Sequence, residues 1–581
     1  MDIKEIKETE IWSLYEKGRN YHRLMGVYVD TDRNYRMYNG DQWAHAKLGD
    51  VEPVQKNFIK PIVKYKVGVV HDNLYAINYS SMNFENKEFR KEAEKICEML
   101  NKKAARIWEK DKMDFKGRRI TKDAAINDEG IIYVDYDIEN QTPLNEIIKK
   151  NDVYYGNEND DDIQSQPYIL VRKRMPVSNA IEMAKREGLS EDKLLFIIGD
   201  NDNFEESGEA AKQELDNMVT VITKMWKEEG KVRFSMSTRW VDIKKNKDSG
   251  LTYYPLAHIN WEEKEGSARG EGEVRYLIPN QIEVNRTEVR RVLTVKYQAF
   301  PQKVVNIEKI SNPTAINQVG GVIKVKGGMS VDDVAKIITT LSPAQMSPDV
   351  KQLQEDLIQM TRDLAGAGEV ATGQVNPEEA SGRAILAVQQ AALSPMTEQK
   401  ESYKNFIEDL AKIWLDMIIT YSQEGIKLEE EVTDPATGEV TTQLVDVPQT
   451  ALQEIQATVK VDITPKSAYD KFAQETSIEN MFVNGMFNVQ RLAELKIYVK
   501  LLDDDSVMPK QKLEEAIKLM EEEQMKIAQM EAEAQMMQQR AQQFLMEDPE
   551  TQASQLLEAE QMPTEEMPVE EEVMEDNPDD N

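Results

Sequence analysis

The spacing of apolar positions changes several times along the chain, and each change marks a different kind of element. Residues 1 to 118 carry mainly helical spacing: Ala93, Ile96, Cys97, Leu100, Ala104 and Ile107 recur every three or four residues, which places them on one face of a helix. The segment Tyr38-Asn39-Gly40-Asp41-Gln42-Trp43 interrupts that pattern, and its Asn-Gly pair predicts a tight turn. Strand patterns follow. Ile131-Ile132-Tyr133-Val134-Asp135-Tyr136 is β-branched and aromatic, and similar runs appear at Tyr168 to Arg172 and from Met218 to Ile243. Asn151 to Gln166, with Asp160, Asp161 and Asp162 in a row, reads as a solvated loop tolerant of substitution. The fold class expected from this alternation is α+β.

From Val274 the pattern lengthens into helices. The first spans 274–300, with Ile278, Ile282, Val289, Val292 and Leu293 as its apolar stripe and Arg286, Arg290 and Arg291 off it. Strand-like Val304 to Ile307 and Val322 to Val325, separated by Asn312-Pro313 and Gly320-Gly321, predict a small β unit. A second helix starts at Ser347-Pro348-Asp349 and carries Val350, Leu353, Leu357, Met360 and Leu364 at alternating three- and four-residue spacing, a stripe that wants a partner helix. It stops at Gly366-Ala367-Gly368. Asn376 can cap a third helix, with Pro377 in its first turn and Glu379 completing a capping box. That helix should kink at Pro395 and bury Tyr403, Phe406, Leu410, Trp414 and Met417 beyond the kink. Strand-like alternation returns from 426 to 464 around the turn at Pro435 to Gly438. The Glu-, Gln- and Met-rich stretch from Lys510 to Met546 reads as a helix that associates with copies of itself, its methionines serving as adaptable packing residues. The tail after Met546 is expected to be disordered.

Charge narrows the range of functions. The 581-residue chain has 105 Asp and Glu against 72 Lys and Arg, a formal charge of −33. The last 35 residues hold fourteen acids and no Lys or Arg, so the rest still carries −19. That sign opposes strong general DNA binding. The single cysteine, Cys97, allows no intrachain disulfide, and its neighbours mark it as a packed structural thiol suited to a reducing compartment. The charged N-terminus has no apolar core of a signal peptide, and no apolar run approaches membrane-spanning length, so no membrane association is expected.

Enzyme motifs are missing. No phosphate-binding Gly-x-x-x-x-Gly-Lys loop occurs, since Gly321 to Gly327 is followed by Gly328 where lysine is required. His22, His45, His71 and His258 lack metal-ligand spacing, which leaves them structural and argues for no metal and no cofactor. Asp200-Asn201-Asp202-Asn203 begins like a calcium loop but has Phe204 and Glu205 where a ligand and glycine belong, so it reads as an acidic turn. Ser381 lacks the strand and Gly-x-Ser-x-Gly elbow of a hydrolase nucleophile.

Several strings, taken in order, resemble the portal proteins (head-tail connectors) of tailed bacteriophages. These are YNGDQW followed by VQKNFIKPIVKYKVG, then Tyr253-Tyr254-Pro255, Trp261 and RGEGEVRYLIPNQIEVNR from Arg269, and above all VATGQVNPEEASGRAILAVQQAALSPM from Val370 to Met396. The resemblance covers most of the chain. It implies a dodecameric ring around a DNA channel at one capsid vertex of the virion, active in genome packaging, head-tail joining and DNA ejection and assembled in the host cytoplasm. It further implies a wing (1–273), stem helices (274–300 and 347–365), a clip (301–346), a tunnel loop (366–376), a long kinked wing helix (377–424), wing strands (425–466), a helical crown (467–546) and the acidic tail (547–581). Implied partners are further copies of the chain, the terminase large subunit, major capsid and scaffolding proteins, head-tail adaptors and double-stranded DNA. On this reading Glu369, Val370, Ala371, Thr372, Gln374 and Asn376 face DNA. Val350, Leu353, Leu357, Met360 and Leu364 pack between subunits. Arg286, Arg290, Arg291 and Lys296 touch phosphates transiently or form intersubunit ion pairs. The other classes weighed are a different structural head or tail protein, which leaves the long helix pair unexplained, and a nucleic-acid enzyme, which would need a site the sequence does not display.

Overall fold

Two helices, α1 (Glu10–Leu24) and α2 (Val27–Asn39), open the chain. Thr9 caps the first by accepting the Trp12 amide at 3.3 Å, and Gly40, at φ +96°, ends the second in the left-handed conformation that the Asn-Gly pair predicts. The computed structural model describes residues 7–44, 46, 52–81, 87–200, 217–300, 302–318, 322–327, 338–342, 345–368, 394–422, 425–433, 440–454 and 457–465, with scattered positions between 499 and 538. Met1–Lys466 form one unit and Ser467–Asn581 another. In the second unit the described positions are helical, with Met520, Met525, Met530 and Met536 exposed. The rest of 467–546 and all of 547–581 lie outside the described residues.

Helices α3 (Ile59–Val70), α4 (Lys87–Lys110) and α5 (Met113–Ile126) follow. The helical reading of residues 1 to 118 needs two corrections. Helix runs on to Ile126, and strand β1 (Asn73–Ser81) interrupts it by pairing antiparallel with β14 (Ala457–Pro465), so that Asn73 faces Pro465 and Ser81 faces Ala457. A strand whose partner lies so far along the chain leaves little local trace. Cys97 is buried among the helical-face residues named above. Burial, then the nearby Glu94, pushes its thiol up to about 11, as befits an unreactive packing residue.

Among the described residues, two sheets have more than two strands. One has the order β3-β2-β9, from β2 (Glu129–Asp137), β3 (Thr142–Ile148) and β9 (Leu256–Asn260). The other is an antiparallel meander of β4 (Val153–Tyr155), β5 (Ile169–Pro176), β6 (Met218–Glu228), β7 (Lys231–Ser237) and β8 (Asp242–Asp248). Helices α6 (Val177–Arg186) and α7 (Glu191–Leu194) cover the second sheet through Ala180, Ala184, Leu194, Val219, Val221 and Ile243. Helix α8 (Glu273–Ala299), the short strands β10 (Lys303–Val305) and β11 (Ile338–Thr340), α9 (Asp349–Leu364), α10 (Thr397–Tyr421), the hairpin β12 (Ile426–Thr433) and β13 (Val440–Val447), and α11 (Gln449–Glu454) follow among the described residues. Tyr403, Phe406, Leu410, Trp414 and Met417 of α10 are all buried, the face predicted from their spacing. A 3-10 turn at Ser394–Met396 precedes α10 and contains Pro395, the position of the expected kink; the stretch before Ser394 of that expected helix lies outside the described residues.

The predicted solvated loop at 151–166 is also corrected. Asn151, Val153, Tyr154, Tyr155, Ile163 and Gln166 are buried. Gln166 turns back on its own loop, accepting from the Asn157 amide and donating to the Asn157 and Asp160 carbonyls. Its many Asp and Asn residues satisfy backbone groups of a folded loop, so polarity there does not mean free solvation.

Glu158, in that loop, belongs to a buried charge cluster centred on Arg269. Its Nε donates to Glu158 Oε2 at 2.9 Å, Nη1 to Glu129, and Nη2 to the Val153 carbonyl at 3.0 Å, while His22 Nε2 lies 2.9 Å from Nη2. His258 Nε2 approaches Glu129 Oε2 at 3.1 Å. One guanidinium thus joins α1, β2, the 151–166 loop and the approach to α8. Burial, reinforced by Arg269, pushes the His22 imidazole down to about 4 from 6.5. The folded state therefore holds His22 neutral. Its contribution is complete above pH 6.5 and is lost as pH falls from 6.5 towards 4, by up to about 3 kcal/mol. Urea denaturation across that window should show the decline in wild type and a flatter profile in His22→Gln; equal slopes would refute the assignment.

Candidate assembly surface and DNA conduit

Helix α8 begins against the core and ends outside it. Its N-terminus closes on the end of α5, where a Cβ on Gly272 would sit 2.3 Å from the Asn127 carbonyl oxygen. Val274, Leu277, Ile278, Gln281, Val284, Asn285 and Val289 are buried, whereas Val292, Val295, Tyr297 and Phe300 are exposed. Two predicted stripe members, Ile282 and Val292, therefore lie outside the buried face, and two amides lie within it. Gln281 Oε1 accepts the Phe58 amide at 3.0 Å and its Nε2 donates to the Lys56 carbonyl at 2.7 Å; Asn285 Oδ1 accepts the Lys56 amide at 3.1 Å. An extended backbone crossing a helix face needs such partners, because burying its polar groups unpaired costs on the order of 1–3 kcal/mol each. A pattern of apolar residues alone misses this. The clue in the sequence was an amide pair four residues apart at the buried period.

Polar groups dominate the contact between α8 and α9. Gln354, 1% exposed, donates to the Val284 carbonyl and to Glu288, and accepts from Arg291 Nη1 at 2.7 Å. Asn280 donates to Thr361 Oγ1 at 2.9 Å. Partial burial disfavours ionised Glu288, but hydrogen bonds from Gln354 and Lys56 outweigh it and hold the carboxyl below its ordinary range. Of the predicted packing stripe, Leu357 touches the subunit's own core and Val350 is half-buried. Leu353 is 57% exposed, Met360 62% and Leu364 84%. These three lie on one helical face at spacings of seven and four residues.

The candidate basic residues on α8 divide into two groups. Arg291 is committed to Glu288 and Gln354. Arg286 and Arg290 reach outward and share Glu283 at 3.6 and 3.5 Å, and Lys296 is exposed. In the small β unit, β10 pairs with β11, and Val325 bridges Ile310. The strand-like run at 322–325 thus joins the 309–311 segment, while the partner of Val304 and Val305 is 338–340, which sequence reading missed. Glu369, Val370, Ala371, Thr372, Gln374 and Asn376 lie outside the described residues, as does the predicted start of the third helix.

A comparison with family models matches the one described as phage P22-like portal protein over residues 28–567. The chain belongs to that family. No curated protein matches it. The match spans the α+β body, the α8–α9 pair and most of the second unit, and it carries the function of a phage portal protein, a structural component of the capsid in genome packaging and head-tail joining. Among the described residues no helix is long and apolar enough to cross a membrane, and no group of three or more His, Cys, Asp or Glu side chains is arranged to hold a metal ion.

Proposed function

We propose that copies of this portal chain close into a dodecameric ring in which α8 and α9 form the stem, 301–346 the clip, 366–376 the tunnel loop facing DNA and 467–546 the crown. Double-stranded DNA passes through the axial channel, driven in by the terminase large subunit. Head-tail adaptors engage the outer end, and capsid and scaffolding proteins surround the ring during assembly in the host cytoplasm. The observation that carries this reading is the face of α9. Leu353, Met360 and Leu364 are exposed while polar Gln354 and Thr361 face the subunit's own α8, the inverse of what a helix pair stable on its own would show. A neighbouring copy supplies the missing apolar cover. Arg286 and Arg290, held loosely by one shared carboxylate, are free to touch passing phosphates without gripping them.

Electron microscopy of the purified protein tests the ring directly. Class averages should show closed rings with an axial channel; compact monomers at micromolar concentration would refute self-assembly through the stem.

A further inference from the structure

The net charge of −33 conceals a local reversal. Residues 101–122 contain nine Lys and Arg and three acids, a net +6 at the elbow where α4 turns into α5. Two of those acids are engaged. Asp111 binds Lys116 and the Asn145 side chain, and Asp114 accepts from Trp108 Nε1 at 3.4 Å. Lys103, Lys110, Lys112, Arg118 and Arg119 form no ion pair among the described residues. Elsewhere cations such as Arg172, Arg174 and Lys150 each hold a carboxylate.

Their placement is ordered. On α5, Phe115, Arg118, Arg119 and Lys122 fall at helical spacing on the face opposite buried Gly117, Ile120, Thr121 and Ala124. Phe115 is 68% exposed at its start. On α4, Lys103 and Lys110 stand two turns apart and line a cavity of about 150 Å³ with Lys102, Arg106 and Thr142. Burial, followed by the charge of Lys110, pushes the Lys103 ammonium down to about 8.

We propose that the α4–α5 elbow is a sequence-independent docking surface for the sugar-phosphate backbone of duplex DNA, distinct from the stem helices. Lysine-rich cations on two consecutive helix faces suit a repeating phosphate array. A fixed carboxylate partner would instead favour the planar fork of arginine in an ordered pocket. An exposed aromatic ring can lie along the groove edge while the cations span the backbone. The proposal takes from the portal reading only that duplex DNA is the cargo.

Fluorescence anisotropy with a short duplex, read over a salt series on the full chain, tests it. About five phosphate contacts give a log–log salt slope near −4.5. Lys110→Gln/Arg118→Gln/Arg119→Gln removes three exposed cations, keeps good helix formers, and should bring the slope near −1.8 and weaken binding at least tenfold at low salt. Lys185→Gln/Arg186→Gln, two exposed cations in the last turn of α6, should leave both close to wild type. Unchanged binding in the elbow variant, or no duplex binding by wild type, would overturn the proposal. So would loss of rings in the elbow variant by electron microscopy, which would instead assign the elbow to an acidic face of a second copy. Should wild type itself form no rings, the ring reading fails while the anisotropy comparison still decides the elbow.

Discussion

Leu353→Asp combined with Met360→Asp is expected to leave the subunit folded and to abolish ring closure. Both side chains are largely exposed on the single subunit, so the substitutions remove little burial there and cost only the helix propensity of aspartate, on the order of 0.5 kcal/mol each. In the proposed ring the same positions face a neighbour. An unpaired carboxylate buried there costs several kcal/mol, and the cost recurs at every subunit junction. Light scattering after size exclusion should report monomers with wild-type circular dichroism. Leu357→Asp should behave differently, because Leu357 packs against the subunit's own core and its loss should lower thermal stability whether or not rings form. Intact rings in the double variant would refute the stem assignment.

Arg269→Met should be the most damaging single substitution in the subunit, at about 3–5 kcal/mol by urea denaturation at pH 7. The guanidinium is the shared partner of Glu129 and Glu158, and Glu129 is fully buried. Burial alone would raise the Glu129 carboxyl, but Arg269, then His258 and Lys150, bring it down to about 2. In wild type that carboxylate stabilises the fold fully above pH 4.5, and the contribution is lost only as pH falls towards 2. Without Arg269, burial prevails and the folded carboxyl takes up a proton more readily than the unfolded one. The deficit of the variant should therefore be largest at neutral pH and shrink as pH falls towards 4. Adding Glu129→Gln should recover part of the loss at pH 7, since a neutral amide needs no counter-charge. A loss under 1 kcal/mol would show that the cluster is solvated.

Local periodicity made much of the helical architecture legible. The Asn39-Gly40 pair ended α2, and the spacing of Tyr403, Phe406, Leu410, Trp414 and Met417 named a buried face correctly. Each of these features depends on residues within about four positions of one another, the range over which backbone hydrogen bonds and side-chain stacking operate in a helix. The family resemblance was legible for a related reason, as its strings were short and contiguous.

Partners brought from far along the chain were not legible. The polarity of the 151–166 loop predicted solvation, yet Gln166 is buried and Glu158 meets Arg269 more than a hundred residues away. On α8 apolarity selected Ile282 and Val292, but the core chose Gln281 and Asn285, because the backbone at Lys56 and Phe58 lies across that face and must be hydrogen-bonded. Total charge argues against strong general DNA binding, but it averages over the elbow at 101–122, whose opposite sign acts within a Debye length of ~10 Å.

By itself, then, the sequence determined most of the long helices, the end of α2 and the buried face of α10, since these follow from steric and hydrogen-bonding preferences within a turn or two of chain. Only the tertiary structure decided what each face meets. The pairing of β1 with β14, the four-way junction at Arg269, and the choice of α9 to turn Gln354 inward and Leu353 outward all depend on distant segments arriving at one place. The free energy of a buried polar contact comes from that encounter, and no local pattern encodes it.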